Sequence, residues 1–169
     1  MTITQLFLEQ LEREAPLTRR ALESVPKGND DWKPHAKSMP LMRLAGLIAF
    51  MPAWIDLVIN REELDLNPPG GKGVYEQPGA TELVGAHEKA VSDGRSALSG
   101  TTDDYLLSTS WKLLAGGKVV MEAKRHIVIA DTFTHLAHHR GQLTVYLRLL
   151  EQKVPALYGP SADDRGSFG

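Results

Sequence analysis

The stretch from Arg125 to Gln152 constrains this chain more than any other segment. It holds no proline, carries apolar residues at helical spacing, and reads as one long helix. Within it, His135-Leu136-Ala137-His138-His139-Arg140-Gly141-Gln142-Leu143 places three of the six histidines in five residues. At 3.6 residues per turn, His135 and His139 stand one above the other on a single face. The same face carries Val128, Asp131, Thr132, Gln142 and Tyr146, beside an apolar stripe of Ile129, Leu136, Leu143, Leu147 and Leu150. The histidine face therefore borders a core. His138 points to the flank.

Upstream patterns supply further elements. Thr4 to Ser24 has helical spacing, with Pro16 expected to kink or divide it. A second helix is expected from Ser38, as N-cap, to about Glu62, buried through Leu41, Leu44, Ile48, Met51 and Ile55, with Leu47 and Trp54 along one border. Pro52 predicts a bend or an early end. Asn67 to Gly79 is a loop, and a third helix spans roughly Thr81 to Leu98 before Gly100. Trp111–Leu114 and Lys118–Met121 around Ala115-Gly116-Gly117 predict a short β-hairpin. From Val154 the tail is irregular. At 169 residues without internal repeats, residues 1–169 are expected to form one all-α domain, a four-helix bundle with a short hairpin before the last helix.

Composition narrows the chemistry. The absence of cysteine excludes disulfides, Cys-ligated metals and a thiol nucleophile. A net charge of −2 offers no electrostatic case for nucleic acid or an anionic membrane. Without a basic, apolar leader or a membrane-length apolar run, the expected location is the cytoplasm. Gly70-Gly71-Lys72-Gly73 lacks phosphate-loop spacing, and no serine is flanked as in a nucleophile elbow.

An i, i+4 histidine pair can grip a divalent metal. From spacing alone, a polar face hydrogen-bonded to neighbouring helices serves equally well. Asp131 is one turn before His135 but about 12 Å along the axis from His139, so it suits a hydrogen bond to His135 better than direct ligation. His35, His87 and His126 read as packing or solvated residues.

The run from His135 to Leu143, with Thr144-Val145-Tyr146-Leu147-Arg148, Val154-Pro155 and Tyr158-Gly159-Pro160-Ser161-Ala162-Asp163-Asp164, resembles the DinB/YfiT-like superfamily. The segments Trp111–Met121 and Ser38–Trp54 extend that resemblance over nearly the whole chain. It implies a four-helix bundle, commonly a homodimer, with one divalent metal, often zinc or nickel, on three histidines. Two of these would be His135 and His139. The third belongs to a second-helix pattern like Leu-Ala-Gly-His-x-Ala-Glu-x-Pro-x-Trp. Here that pattern reads Leu44-Ala45-Gly46-Leu47-Ile48-Ala49-Phe50-Met51-Pro52-Ala53-Trp54, so Leu47 replaces the histidine and Phe50 the glutamate. The metal site implied is degenerate, with binding weak or absent. His87, Glu122, Asp163 and Asp164 are candidates to complete it. The resemblance implies a thiol S-transferase or hydrolase acting on a small-molecule or thiol substrate, with no assigned catalytic residue. The alternative is a non-catalytic bundle that binds a small apolar ligand or serves as a dimeric scaffold.

Overall fold

The computed structural model describes residues 1–68, 70–71 and 78–166. Among them, helix α1 spans Ile3–Glu23, α2 Leu41–Phe50, α3 Ala53–Asn60, α4 Leu83–Gly100, α5 Asp103–Ser108 and α6 Arg125–Leu149. Strands β1 Glu63–Asp65, β2 Ser110–Ala115 and β3 Lys118–Lys124 form a sheet in the order β1-β2-β3. The fold is mostly helical rather than all-α: the expected hairpin is present, and β1 joins it in parallel.

Of the two outcomes expected at Pro16, a kink or a division, division does not occur: α1 runs as one helix through the proline. A mid-helix proline costs about 3 kcal/mol. Here both halves are anchored in the core, Phe7 and Leu11 before the proline and Ala21 and Leu22 after it. The start is doubly fixed. Thr2 and Gln5 form a capping box, and the Asp103 carboxylate accepts the amides of Ile3 and Thr4 at 3.0 Å each.

The second helical segment departs from expectation at its start. Ser38 is not the cap; the helix opens at Leu41, whose amide bonds the Trp32 carbonyl at 2.8 Å, while the Met42 amide bonds that of Asp30 at 3.1 Å. Backbone of the connector thus satisfies the first orphan donors. At Pro52 the helix breaks as expected, and α3 leaves α2 at 52°. The break brings the Pro52 carbonyl against α4 at Gly94, where a β-carbon would lie 2.7 Å from that oxygen. α3 ends at Asn60 instead of near Glu62, and the chain turns into β1.

In the hairpin, Gly116 and Gly117 both adopt positive φ, +60° and +76°. That backbone is the two-residue turn whose twist matches its strands. Asp65 at the end of β1 accepts the amides of Gly116 at 2.9 Å and Gly117 at 2.7 Å, which ties the third strand to the turn.

α1, the broken α2–α3 pair, α4 and α6 pack on one another around two apolar clusters. α6 serves both, through Val128, Ile129 and Phe133 in one and Leu136, Leu143, Tyr146 and Leu147 in the other. No single helix among the described residues is long and apolar enough to cross a membrane. Of the loop from Asn67 to Gly79, Pro69 and residues 72–77 lie outside the described residues, and with them Lys72 and Gly73.

Candidate functional site

His135 and His139 stand on α6 between Phe133 and Leu143, where that helix passes from one apolar cluster to the other. Their Nε2 atoms lie 2.8 Å apart, at hydrogen-bond distance. His139 is buried, and its Nδ1 is 2.7 Å from the Gln142 Oε1. An amide oxygen only accepts, so Nδ1 carries the hydrogen and the His139 Nε2 presents its lone pair to His135. This is the tautomer a metal-binding imidazole needs, fixed by the second hydrogen bond. His135 is half-buried, with the Trp54 ring packed edge-on at 5.5 Å between centroids. Burial, together with the neighbouring His139 and His138, lowers its pKa and favours the neutral ring.

His135 also faces a cavity of about 320 Å³ between α3, the sheet and the first turns of α6. Leu57 and Val58 contribute from α3, Leu64 from β1, Trp111 and Leu113 from β2 and Met121 from β3. Val128, Asp131, Thr132 and His135 supply the α6 wall, four members of the helix face projected from the sequence. Asp131 is exposed at this wall and makes no hydrogen bond to His135; Gln142 orients the pair instead, through His139. His138 is exposed on the flank.

The remaining histidines and acids do not complete a metal set. Among the described residues no three of His, Asp and Glu converge on a point where an ion could sit. Leu47 is half-buried and packs against the cluster containing Leu136, Leu143 and Tyr146. His87 is buried with its Nε2 3.0 Å from the Ala15 carbonyl. Asp163 pairs with Arg148 and Asp164 accepts the Ala156 amide, so both hold the C-terminal tail; Glu122 is exposed on β3.

The cavity wall contributed by β1 and β2 was not legible as a site. The signal available was the alternation Trp111-Lys112-Leu113, which puts Trp111 and Leu113 on one face of a strand. The role of Arg125 likewise has no local signal. The residue is wholly buried, bonds the carbonyls of Val58 and Arg61 at the end of α3, and reaches Glu62 at 2.9 Å and Thr109 at 2.9 Å. It fixes the helix that carries Leu57 and Val58 to the start of α6.

Comparison with known proteins agrees with this architecture. The family model described as the DinB family matches residues 1–165. The uncharacterised protein YrdA of Bacillus subtilis is 23% identical over 164 residues, 96% of this chain and 92% of YrdA. Among solved structures, a DinB-like protein of Bacillus cereus superposes with a TM-score of 0.67 at 22% identity, over 90% of this chain and 95% of that one. The DinB-like protein YjoA of Bacillus subtilis gives 0.63 at 14% identity, with 88% and 94% covered. A member of the family from Exiguobacterium sibiricum gives 0.61 at 15%, with 91% and 95% covered.

Proposed function

The chain belongs to the DinB family, and on that premise we propose that it binds a small, mainly apolar molecule beside a metal centre reduced to two histidines. The observation that carries this reading is the double position of His135. It is half of the histidine pair and part of the wall of a cavity otherwise built mainly from Leu, Val, Met and Trp. At about 320 Å³ the cavity falls at the lower end of the range that small-molecule sites occupy.

The donor set does not fit the three-histidine centre that the resemblance implies. Two imidazole nitrogens converge, but Leu47 has no lone pair to offer, and no third His, Asp or Glu among the described residues joins them. The Nε2 separation of 2.8 Å is also shorter than the roughly 3.3 Å that two ligands of a tetrahedral zinc require at Zn–N distances of about 2.0–2.1 Å. One observation favours a second reading, a thiol S-transferase or hydrolase whose substrate completes the site: Gln142 holds His139 in the ligating tautomer.

Two measurements test these readings. Untagged protein purified without chelator is expected to contain well under one equivalent of metal by elemental analysis. One equivalent of zinc or nickel, lost in His135→Ala, would favour the second reading instead. Titration with α-methylstyrene, a neutral hydrocarbon, is expected to shift the methyl resonances of Leu57, Val58 and Leu64 saturably. No saturable shift would overturn the apolar-ligand reading.

A further inference from the structure

The outward face of α6 differs from those of the other long helices. α1 exposes Glu9, Glu12, Arg13 and Arg19, and α4 exposes Glu88, Lys89 and Arg95, as solvated helix faces do. Between Asp131 and Arg148, about 25 Å of helix, α6 exposes no Lys, Arg, Asp or Glu. Arg140 lies in that stretch but is buried. Thr134, His138, Gly141 and Val145 are exposed there instead, Val145 by 57%. With Asp131 and Arg148 they recur in steps of four and three, the spacing of a seam that packs against a second helix.

Gly141 adds an independent observation. Glycine is the poorest helix former after proline, and this one stands inside a helix of 25 residues. The fold of one chain does not ask for it, since a β-carbon there would meet no heavy atom within 4 Å. A gap on an exposed helix face leaves room for a bulky group from outside.

The seam is complementary to itself in one orientation. With two copies of α6 antiparallel about a two-fold axis between His138 and Gly141, Asp131 comes level with Arg148 of the second copy. Thr134 then comes level with Val145, and His138 with Gly141. The imidazole fills the gap that the glycine leaves, and each end of the seam pairs a carboxylate with a guanidinium. A parallel pairing would set Asp131 on Asp131 and Arg148 on Arg148. The Asp131 carboxylate has no partner among the described residues. Arg148 bonds Asp163 at 2.5 Å, yet its side chain is 48% exposed, and a guanidinium has five N–H donors to share.

We infer that the outward face of α6 is a dimer seam, occupied by the antiparallel α6 of a second copy of this chain.

Sedimentation equilibrium of the full, untagged chain from micromolar to near-millimolar concentration tests this, and should show a reversible monomer–dimer equilibrium. Gly141→Lys fills the gap and charges the seam, so it should weaken the dimer about tenfold or more. At concentrations where both proteins are monomeric, the same variant should melt no lower than the unaltered chain, because lysine is the better helix former and meets open space. Asp131→Arg and Arg148→Asp should each weaken self-association about tenfold or more when alone. An equimolar mixture of those two variants should regain the original affinity within about threefold, since each chain then meets the opposite charge on the other. A chain that stays monomeric throughout overturns the inference. A dimer that Gly141→Lys leaves intact does the same, because the contact then lies elsewhere. Charge variants that associate alone as well as they do mixed overturn the antiparallel seam. Should Gly141→Lys not fold, the mixture decides.

Discussion

The Arg140 guanidinium meets the Glu14 carboxylate at 2.5 Å with both side chains almost wholly removed from water, 1% and 3% exposed. The pair joins α6 to α1 one residue beyond His139. Arg140 also bonds the Thr18 hydroxyl at 2.7 Å, and the Tyr158 hydroxyl donates to Glu14 at 2.8 Å, which pins the tail. Removing one partner of such a pair leaves a buried charge without its counter-ion. Glu14→Ala is therefore expected to destabilise the protein by about 3–5 kcal/mol, read from urea unfolding. Glu14→Leu combined with Arg140→Met should recover most of that loss. A loss below about 1 kcal/mol in Glu14→Ala would show that the pair is solvated.

Gly94 and Pro52 lead to the second prediction. Alanine is the better helix former by about 1 kcal/mol, so propensity alone favours Gly94→Ala. The structure opposes it, because the new methyl would sit 2.7 Å from the Pro52 carbonyl oxygen, which is backbone and cannot rotate away. The net effect expected is a destabilisation of about 1–3 kcal/mol and a lower Tm. A Tm equal to or above that of the unaltered protein would mean α4 and the α2–α3 break are further apart.

A pH dependence follows from His87. Burial lowers its pKa, against the opposing effect of the Ala15 carbonyl 3.0 Å from its Nε2. The unfolded chain takes up a proton near pH 6.5 while the folded chain resists it. Folded stability should thus be undiminished above about pH 6.5, fall as pH drops below it, and level off beneath the depressed folded value. Urea midpoints measured from pH 8 to pH 5 should show this slope, and His87→Phe should flatten it. An equal slope in both proteins would assign the effect to other groups.

The Asp65 carboxylate is held below the ordinary aspartate range by the Asn67 amide first and those of Gly117 and Gly116 after it. Its loss should free the hairpin turn from β1. In Asp65→Ala, amide exchange at Gly116 and Gly117 is expected to accelerate at least tenfold. Because Leu64 and Leu113 line the cavity from these strands, binding of α-methylstyrene should weaken as well. Unchanged exchange would show that the turn holds itself.

Leu47→His addresses the missing donor directly. Leu47 is half-buried and packs against the apolar cluster to which Leu136 and Leu143 of α6 belong. Zinc affinity by calorimetry should rise at least tenfold, and the gain should vanish when His139→Ala is added. An unchanged affinity would show that position 47 does not face the pair.

Local sequence was enough for α6, α4, the hairpin and the break at Pro52, because each depends on signals within a few residues: helical spacing, a terminal glycine, a two-glycine turn, a proline without an amide hydrogen. The histidine face was legible for the same reason, since an i, i+4 pair needs only the pitch of one helix. The replacement of a histidine by Leu47 was legible through the resemblance. Other features depended on partners distant in the chain. α1 survives Pro16 because two separate clusters anchor it, α2 is capped by Trp32 and Asp30 in place of Ser38, and β1 exists because β2 lies beside it.

The cavity belongs to that second group. Leu57, Leu64, Trp111 and His135 come from four elements spread over nearly eighty residues, and nothing local to any of them marks a shared wall. The same holds for the Trp111 indole N–H, buried without a partner among the described residues, since whether a donor is satisfied depends on every segment folded around it. By itself the sequence determined that two imidazoles share a face and that the usual third donor is a leucine. Only the tertiary structure decided that this face opens on an apolar cavity, because that depends on side chains from four elements meeting in space.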